Sequence, residues 1–282
     1  MAGTSEHTPK ARLLGAELRE LRKQANVTTR ELAHQLGTSH VTISRYETGT
    51  RTPRPEDVAR ILGTLRVTGT RYDELIEFAR NAGDKNTFAR SASGPHKHLV
   101  ELAEFERSAS SIADVAPTVI PGLLQTADYA RSIMRGLPNP EREIRVGLRM
   151  ARRDVLSGRT AKPLTAIIAE HALRQPLGGP AVMAEQLRYI LRLSEQSNIT
   201  VAVLPSDLTH WTPAHEGAFV LYEFAKAPPI VQLEHYRAPA FLFETKDVAA
   251  YKQAVVDIRT STLPLDASAG LIAAIATEME EA

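Results

Sequence analysis

Cysteine is absent from all 282 residues, which excludes disulfide frameworks and thiolate metal sites and suits a reducing compartment. Aromatic residues make up only 5%, too few for the stacking platform that single-stranded nucleic acid needs, so double-stranded partners stay open. No stretch approaches the ~20 apolar residues of a membrane span. Residues 1–30 carry charge throughout, at Glu6, Lys10, Arg12, Glu17, Arg19 and Glu20, with no apolar block. No secretory leader is expected, and a soluble cytoplasmic protein is.

What is present is ordinary globular material, 43% hydrophobic and 24% charged. The length favours two domains, each able to bury a core. The net charge of +1 conceals an asymmetry, because residues 1–55 hold nine Lys/Arg against five Asp/Glu. A basic excess on a compact segment suits phosphate contact, with ordinary surface charge as the competing reading.

Residues 1–10 are small and polar and read as an arm. Leu13, Leu14, Leu18 and Leu21 recur at helical spacing up to about Gln24, with Arg19 and Arg22 beside them. Thr28-Thr29-Arg30-Glu31 spells a capping box that opens a second helix with Leu32, Ala33 and Leu36 inward, and Gly37 ends it. Thr38 or Ser39 can cap a third helix running to Thr48-Gly49. After the rigid basic stretch Arg51-Thr52-Pro53-Arg54-Pro55, residues 56–65 and 72–82 read as two more amphipathic helices. The expected domains are therefore an all-α, five-helix head over 1–82, a Gly/Ser/Ala-rich linker over 83–97, and a second domain over 98–282.

That second domain is expected to be α+β with a mixed sheet. Helices are expected over 99–112, 123–134, 141–156, 180–196, 248–259 and 267–281, with an extended stretch at 117–121. Strands are expected over 164–169 and 199–204, joined by a crossover, and over 218–224, 230–234 and 241–244 as a meander.

On the third helix His40, Val41, Ser44 and Arg45 share one face, while Ile43, Tyr46 and Glu47 fall on another. Such a helix fits the major groove of B-DNA. Arg45 can fork onto guanine, His40 can meet a base edge, and Val41 can touch a thymine methyl. Thr29, Thr42, Arg51, Thr52 and Arg54 surround that helix as phosphate donors, for which a solvated surface is the alternative.

The run 37–53, GTSHVTISRYETGTRTP, together with Glu31-Leu32-Ala33, resembles the XRE family of helix-turn-helix proteins, the group of the lambdoid phage repressors. The resemblance implies a lambda-repressor-like head, double-stranded DNA as partner, a homodimer, and a structural ion pair between Arg22 and Glu47. From about 98 to 278 the chain is similar to the domain of unknown function that follows such a head in many bacterial regulators. That similarity is carried by residues 120–126 (IPGLLQT), 172–179 (ALRQPLGG) and 198–205 (NITVAVLP), with Gln175 standing where the family has a second arginine. It implies a small protein partner, or a ligand, acting on DNA binding.

Read physically, Pro121-Gly122 is a turn, Gly178-Gly179-Pro180 a loop feeding a helix, and Asn198 a turn before a strand. No HExxH, phosphate-loop or GxSxG pattern occurs. His210, His215 and Glu216 as a metal site, or Glu170-His171 as an acid-base pair, would make the second domain a DNA-tethered hydrolase or metal-binding effector. The expected reading is instead a non-enzyme without cofactor or metal.

Overall fold

Apolar residues three or four apart in the first 82 positions form helices because only burial of that stripe offsets the entropy of ordering them. In the computed structural model, which describes residues 9–82, 96–225, 227–234 and 239–282, they build α1 (Pro9–Gln24), α2 (Thr29–Leu36), α3 (His40–Glu47), α4 (Pro55–Thr64) and α5 (Thr70–Ala82). Leu14 and Leu18 of α1, Leu32 of α2, Ile43 of α3 and Leu62 of α4 are all essentially inaccessible and form one core. Each such burial contributes about 1.5–3 kcal/mol.

The chain divides into two compact units, residues 225–228 aside, the first running to Arg90 and the second from Ser91. The linker expected over 83–97 lies, except for its last two residues, outside the described residues, as does the arm up to Thr8.

The second unit alternates helices and strands. In order they are α6 (His96–Ser108), β1 (Ser111–Ala116), α7 (Ala127–Ile133), α8 (Asn139–Arg152), β2 (Leu164–Ala169), α9 (Glu170–Arg174), α10 (Pro180–Ser194), β3 (Ile199–Leu204), β4 (Phe219–Glu223), β5 (Ile230–Leu233), β6 (Ala240–Leu242), α11 (Thr245–Thr260) and α12 (Leu265–Glu281). The six strands form one mixed sheet in the order β3-β2-β1-β4-β5-β6. β1, β2 and β3 run parallel, with Ile112 opposite Leu164 and Leu164 opposite Ile199, whereas β4, β5 and β6 continue as an antiparallel meander from β1. Parallel neighbours need a crossover, and α10 lies in the one between β2 and β3.

Two expectations are corrected. The helix expected over 99–112 stops at Ser108, and residues 111–116 are instead the central strand β1, paired on both sides. SIADVA shows no clean alternation of its own, and it is a strand because two neighbouring strands satisfy its backbone on both sides. The expected helix over 123–134 is broken in two, a single 3₁₀ turn at Gly122–Leu124 and then α7, because Thr126 caps α7 by accepting from the amide of Tyr129.

Alternate residues divide the sheet into two faces. Val115, Ile167, Phe219, Leu221 and Val231 pack with Val248 and Ile258 of α11. The opposite face presents Ile112, Asp114, Val220, Tyr222 and Gln232 to a cavity. Phe105 of α6 packs edge-on to Phe241 at 5.2 Å beside that cavity.

The family segments act within this frame as architecture. Asn198 Nδ2 donates to the carbonyls of Leu156 (3.1 Å) and Lys162 (3.0 Å), tying the entry of β3 to that of β2. Gly178 has φ +94°, and a Cβ there would meet Ser132 Oγ at 2.4 Å, so only glycine fits. Arg174 pairs with Glu170 and Glu278, while the neighbouring Gln175 is exposed.

Candidate nucleic-acid interface

The turn between α2 and α3 is set by short polar residues at its ends. Thr28 Oγ1 accepts from the amide of Glu31 (3.2 Å) and the Glu31 carboxylate accepts from the amide of Thr28 (2.6 Å), closing the capping box. The Thr28 amide, and after it the Thr28 hydroxyl, hold the Glu31 carboxyl below its ordinary range. At the other end Gly37 adopts φ +63°, and the amide of Thr38 reaches back to the carbonyl of Ala33 at 2.9 Å. Arg60 of α4 adds a side-chain cap, its Nη2 donating to the carbonyl of Leu36 at 2.6 Å. Two residues later Ser39 opens α3, its Oγ accepting from the amide of Thr42 at 3.1 Å.

α3 has two sides of opposite character. Ile43, Tyr46 and Glu47 are buried, and His40, Val41, Ser44 and Arg45 are exposed, Val41 to 44%. The Tyr46 hydroxyl donates to Asp57 at 3.0 Å, which anchors the ring to α4, and burial first, then this hydrogen bond, raises its pKa.

Glu47 ties α3 to α1. Arg22 Nε and Nη2 donate to its two carboxylate oxygens at 2.6 and 2.8 Å, both side chains being one-tenth exposed or less, and Arg22 Nη1 donates to the carbonyl of Val27 at 2.8 Å. Burial lowers the guanidinium's affinity for its proton, but the larger effect of the Glu47 hydrogen bond raises it. The fork geometry fixes the roll of α3 about its axis as well as its position. Close contact of the two helices also depends on Gly15, where a Cβ would lie 2.3 Å from the carbonyl oxygen of Tyr46, and on Gly49 (φ +69°), where it would lie 2.7 Å from Cα of Arg12.

The flanking polar residues are less uniform. Arg51 and Arg54 are exposed, Arg51 with its guanidinium 5.7 Å from the centre of the Tyr46 ring. Thr29, Thr42 and Thr52 are half-buried, and the Thr42 hydroxyl already shares a hydrogen bond with Ser39 at 2.9 Å. Thr29 is the first residue of α2, and the amide of Arg54 donates to Asp57 at 3.3 Å at the start of α4.

The candidate acid-base and metal residues of the second unit are used otherwise. Glu170 accepts from Arg174 Nε at 2.6 Å and the amide of Ser206 at 3.0 Å, which lowers its pKa, while His171 is exposed. His210 Nε2 lies 3.0 Å from Ser261 Oγ, and His215 Nδ1 is occupied by Thr212. Among the described residues no group of three or more His, Asp or Glu side chains could hold a metal ion. His235 lies outside them.

One set of functional candidates goes unread in the sequence: Glu106, Asp114, Arg145, Arg149 and Arg152, which line a cavity of about 430 Å³ in the second unit. Its signal is the stripe Arg142, Arg145, Arg149, Arg152 on α8, spaced at helical periodicity.

The geometry of the first unit, two helices joined by a glycine turn with the second presenting an open polar face, is that of a helix-turn-helix protein. A model of a helix-turn-helix domain matches residues 13–75. The chain belongs to the family defined by a domain of unknown function (DUF5753), whose model matches residues 99–274. A curated relative, the uncharacterized HTH-type transcriptional regulator RghRB of Bacillus subtilis (strain 168), is 33% identical over 89 residues, or 31% of this chain. The aligned part spans 62% of that relative's length. No solved structure matches the chain. Among the described residues no helix is long and apolar enough to cross a membrane.

Proposed function

We propose that the chain is a sequence-specific transcriptional regulator of double-stranded DNA, acting in the cytoplasm, with α3 as its reading helix. The single observation that carries this is the exposed face of His40, Val41, Ser44 and Arg45 on a helix whose opposite face is clamped by the buried Arg22–Glu47 fork. A rigid helix with an unoccupied polar face suits the major groove. Arg45 would take guanine and Val41 a thymine methyl, and each bidentate base contact would discriminate by about 1–3 kcal/mol. Arg51 and Arg54 would meet phosphates, with Thr29, Thr42 and Thr52 adding weaker hydroxyl contacts. The likeness to the Bacillus relative, an uncharacterized HTH-type transcriptional regulator by name, supports the same reading.

In this reading the chain works as a homodimer on two half-sites about one helical turn apart. Residues 98–282 form a non-enzymatic regulatory domain that receives a small ligand or protein partner, and residues 83–97 join it to the head. Differential affinity of that effector for two states of the protein would shift DNA binding.

Selection of duplexes from a random pool supplies the operator. A mobility-shift titration then compares the natural chain with the Arg45→Ala/His40→Ala double variant. The double variant is expected to lose sequence preference while retaining weak, salt-sensitive binding. Unchanged preference would overturn α3 as the reading helix.

A further inference from the structure

The cavity of the second unit, about 430 Å³, falls in the size range of small-molecule sites. Its walls are the open face of the sheet, α6, α8 and the segment 118–125. That segment overlaps the run 120–126 singled out in the sequence, and hydrogen bonds hold it in place. Gln125 Nε2 donates to the carbonyl of Ile120 (2.7 Å), the Tyr129 hydroxyl accepts from the amide of Ile120 (3.2 Å), and Gln186 Nε2 donates to the carbonyl of Leu124 (2.7 Å). The wall is therefore built before anything binds to it.

The charges around this space are only partly matched among the described residues. Arg152 forks onto Glu106, its Nε at 2.8 Å, and Arg145 donates to Glu141 at 2.6 Å. Among the described residues Arg149 has no carboxylate partner: its Nη1 donates to Gln125 Oε1 at 2.8 Å, and its Nε is buried without an acceptor. Burial and the neighbouring Arg152 push its pKa down to about 10. Opposite, on β1, Asp114 makes no hydrogen bond or ion pair among the described residues, and burial pushes its carboxyl up to about 7. Glu234 Oε1 accepts from Gln232, whose Oε1 accepts from Tyr222 at 2.9 Å.

A fold selected for stability alone would replace such groups by apolar ones or let them pair, since unmatched buried charge is costly. Here the cation stands on the helical wall and the carboxyl on the sheet, and they do not meet in an ion pair. Between them Ile112, Val119, Leu123 and Val220 supply apolar lining.

The geometry points to a binding site for a small amphoteric molecule, an apolar amino acid or short peptide, with its carboxylate on Arg149 and its ammonium group toward Asp114 and Glu234. A guanidinium, with its planar fork of donors, is a natural carboxylate receptor, and the apolar lining would take the side chain. This rests on the reading that the second unit receives an effector, and it names that effector's chemical class.

The test uses the full-length chain with L-leucine, L-phenylalanine and the dipeptide Leu-Phe. Leucinamide, which lacks the carboxylate, and N-acetyl-leucine, which lacks the ammonium group, serve as controls. Differential scanning calorimetry of the full-length chain follows the melting of the second unit. At a hundredfold excess over Kd, at least one zwitterionic probe is expected to raise the melting temperature by roughly 5–10 °C. Neither control should do so. By calorimetry, Arg149→Gln and, separately, Asp114→Asn should each weaken that probe roughly 10–100-fold.

A wild-type chain that none of the three zwitterions stabilises overturns the proposal and leaves the cavity to water. So does a shift given equally by the controls, or one unaltered in both variants. A mobility shift on the selected operator separates the two readings. Probe binding that leaves operator affinity unchanged supports the site while removing its role as effector, and operator binding without probe binding removes the site alone.

Discussion

Replacing Arg22 by methionine keeps most of the side-chain volume and deletes the charge, leaving Glu47 buried at the joint between α1 and α3. The pair is bidentate at 2.6 and 2.8 Å, and Arg22 also serves the carbonyl of Val27. Breaking a buried pair from one side costs about 3–5 kcal/mol. A domain of some 80 residues holds only about 4–12 kcal/mol in all, so the loss takes a large share of the first unit's stability. At about 4–8 °C per kcal/mol for a domain of that size, its melting point falls by at least roughly 12 °C. Far-ultraviolet circular dichroism of the full chain follows the helices, and the second unit's calorimetric transition serves as an internal reference that should not move. Hydrogen exchange should locate the loss of protection in α1 and α3. The companion double variant Arg22→Met/Glu47→Leu removes both charges and is expected to recover most of the loss, giving a coupling above about 2 kcal/mol. If Arg22→Met lies within about 1 kcal/mol of the natural chain, the ion pair does not hold α3 and the argument fails.

Gly15→Ala and Gly63→Ala should have opposite signs in chemical denaturation. The first forces a Cβ against the backbone of α3 and costs about 1–3 kcal/mol, while the second, with open space around it, stabilises by about 0.5–1 kcal/mol. Asn198→Ala removes two hydrogen bonds to Leu156 and Lys162 and should cost the second unit about 1–3 kcal/mol by the same measurement. Asp114 is raised from an ordinary 3.8 to about 7 in the fold. Its contribution is fully present below pH 4, where both states hold the proton, and is lost as pH rises to 7, because only the unfolded chain ionises over that window. At 1.36 kcal/mol per pH unit the decline reaches up to about 4 kcal/mol. Asp114→Asn should flatten this slope in calorimetric melts from pH 4 to 8 and be the more stable form at the upper end. An equally steep slope in the variant would assign it to other groups.

The first unit is legible in the chain because its signals are local. A capping threonine, a glycine able to take positive φ, and leucines at helical spacing each act within one or two turns. β1 is misread for the opposite reason. SIADVA has no strong local preference, and only the strands to which it is hydrogen-bonded on both sides, β2 from 164 and β4 from 219, make it a strand. Gly15 passes unnoticed in the sequence, since nothing within α1 says that the carbonyl of Tyr46 will lie against it.

The amino-acid order alone determined the five short helices of the head and which side of the third would face water, since caps, turns and periodicity are encoded within a few residues of where they act. Tertiary structure alone decided the place of β1 at the centre of the sheet and the meeting of Asp114 with Arg149 across one cavity. Those depend on residues dozens of positions apart, whose proximity is set by packing and strand pairing that no local pattern contains.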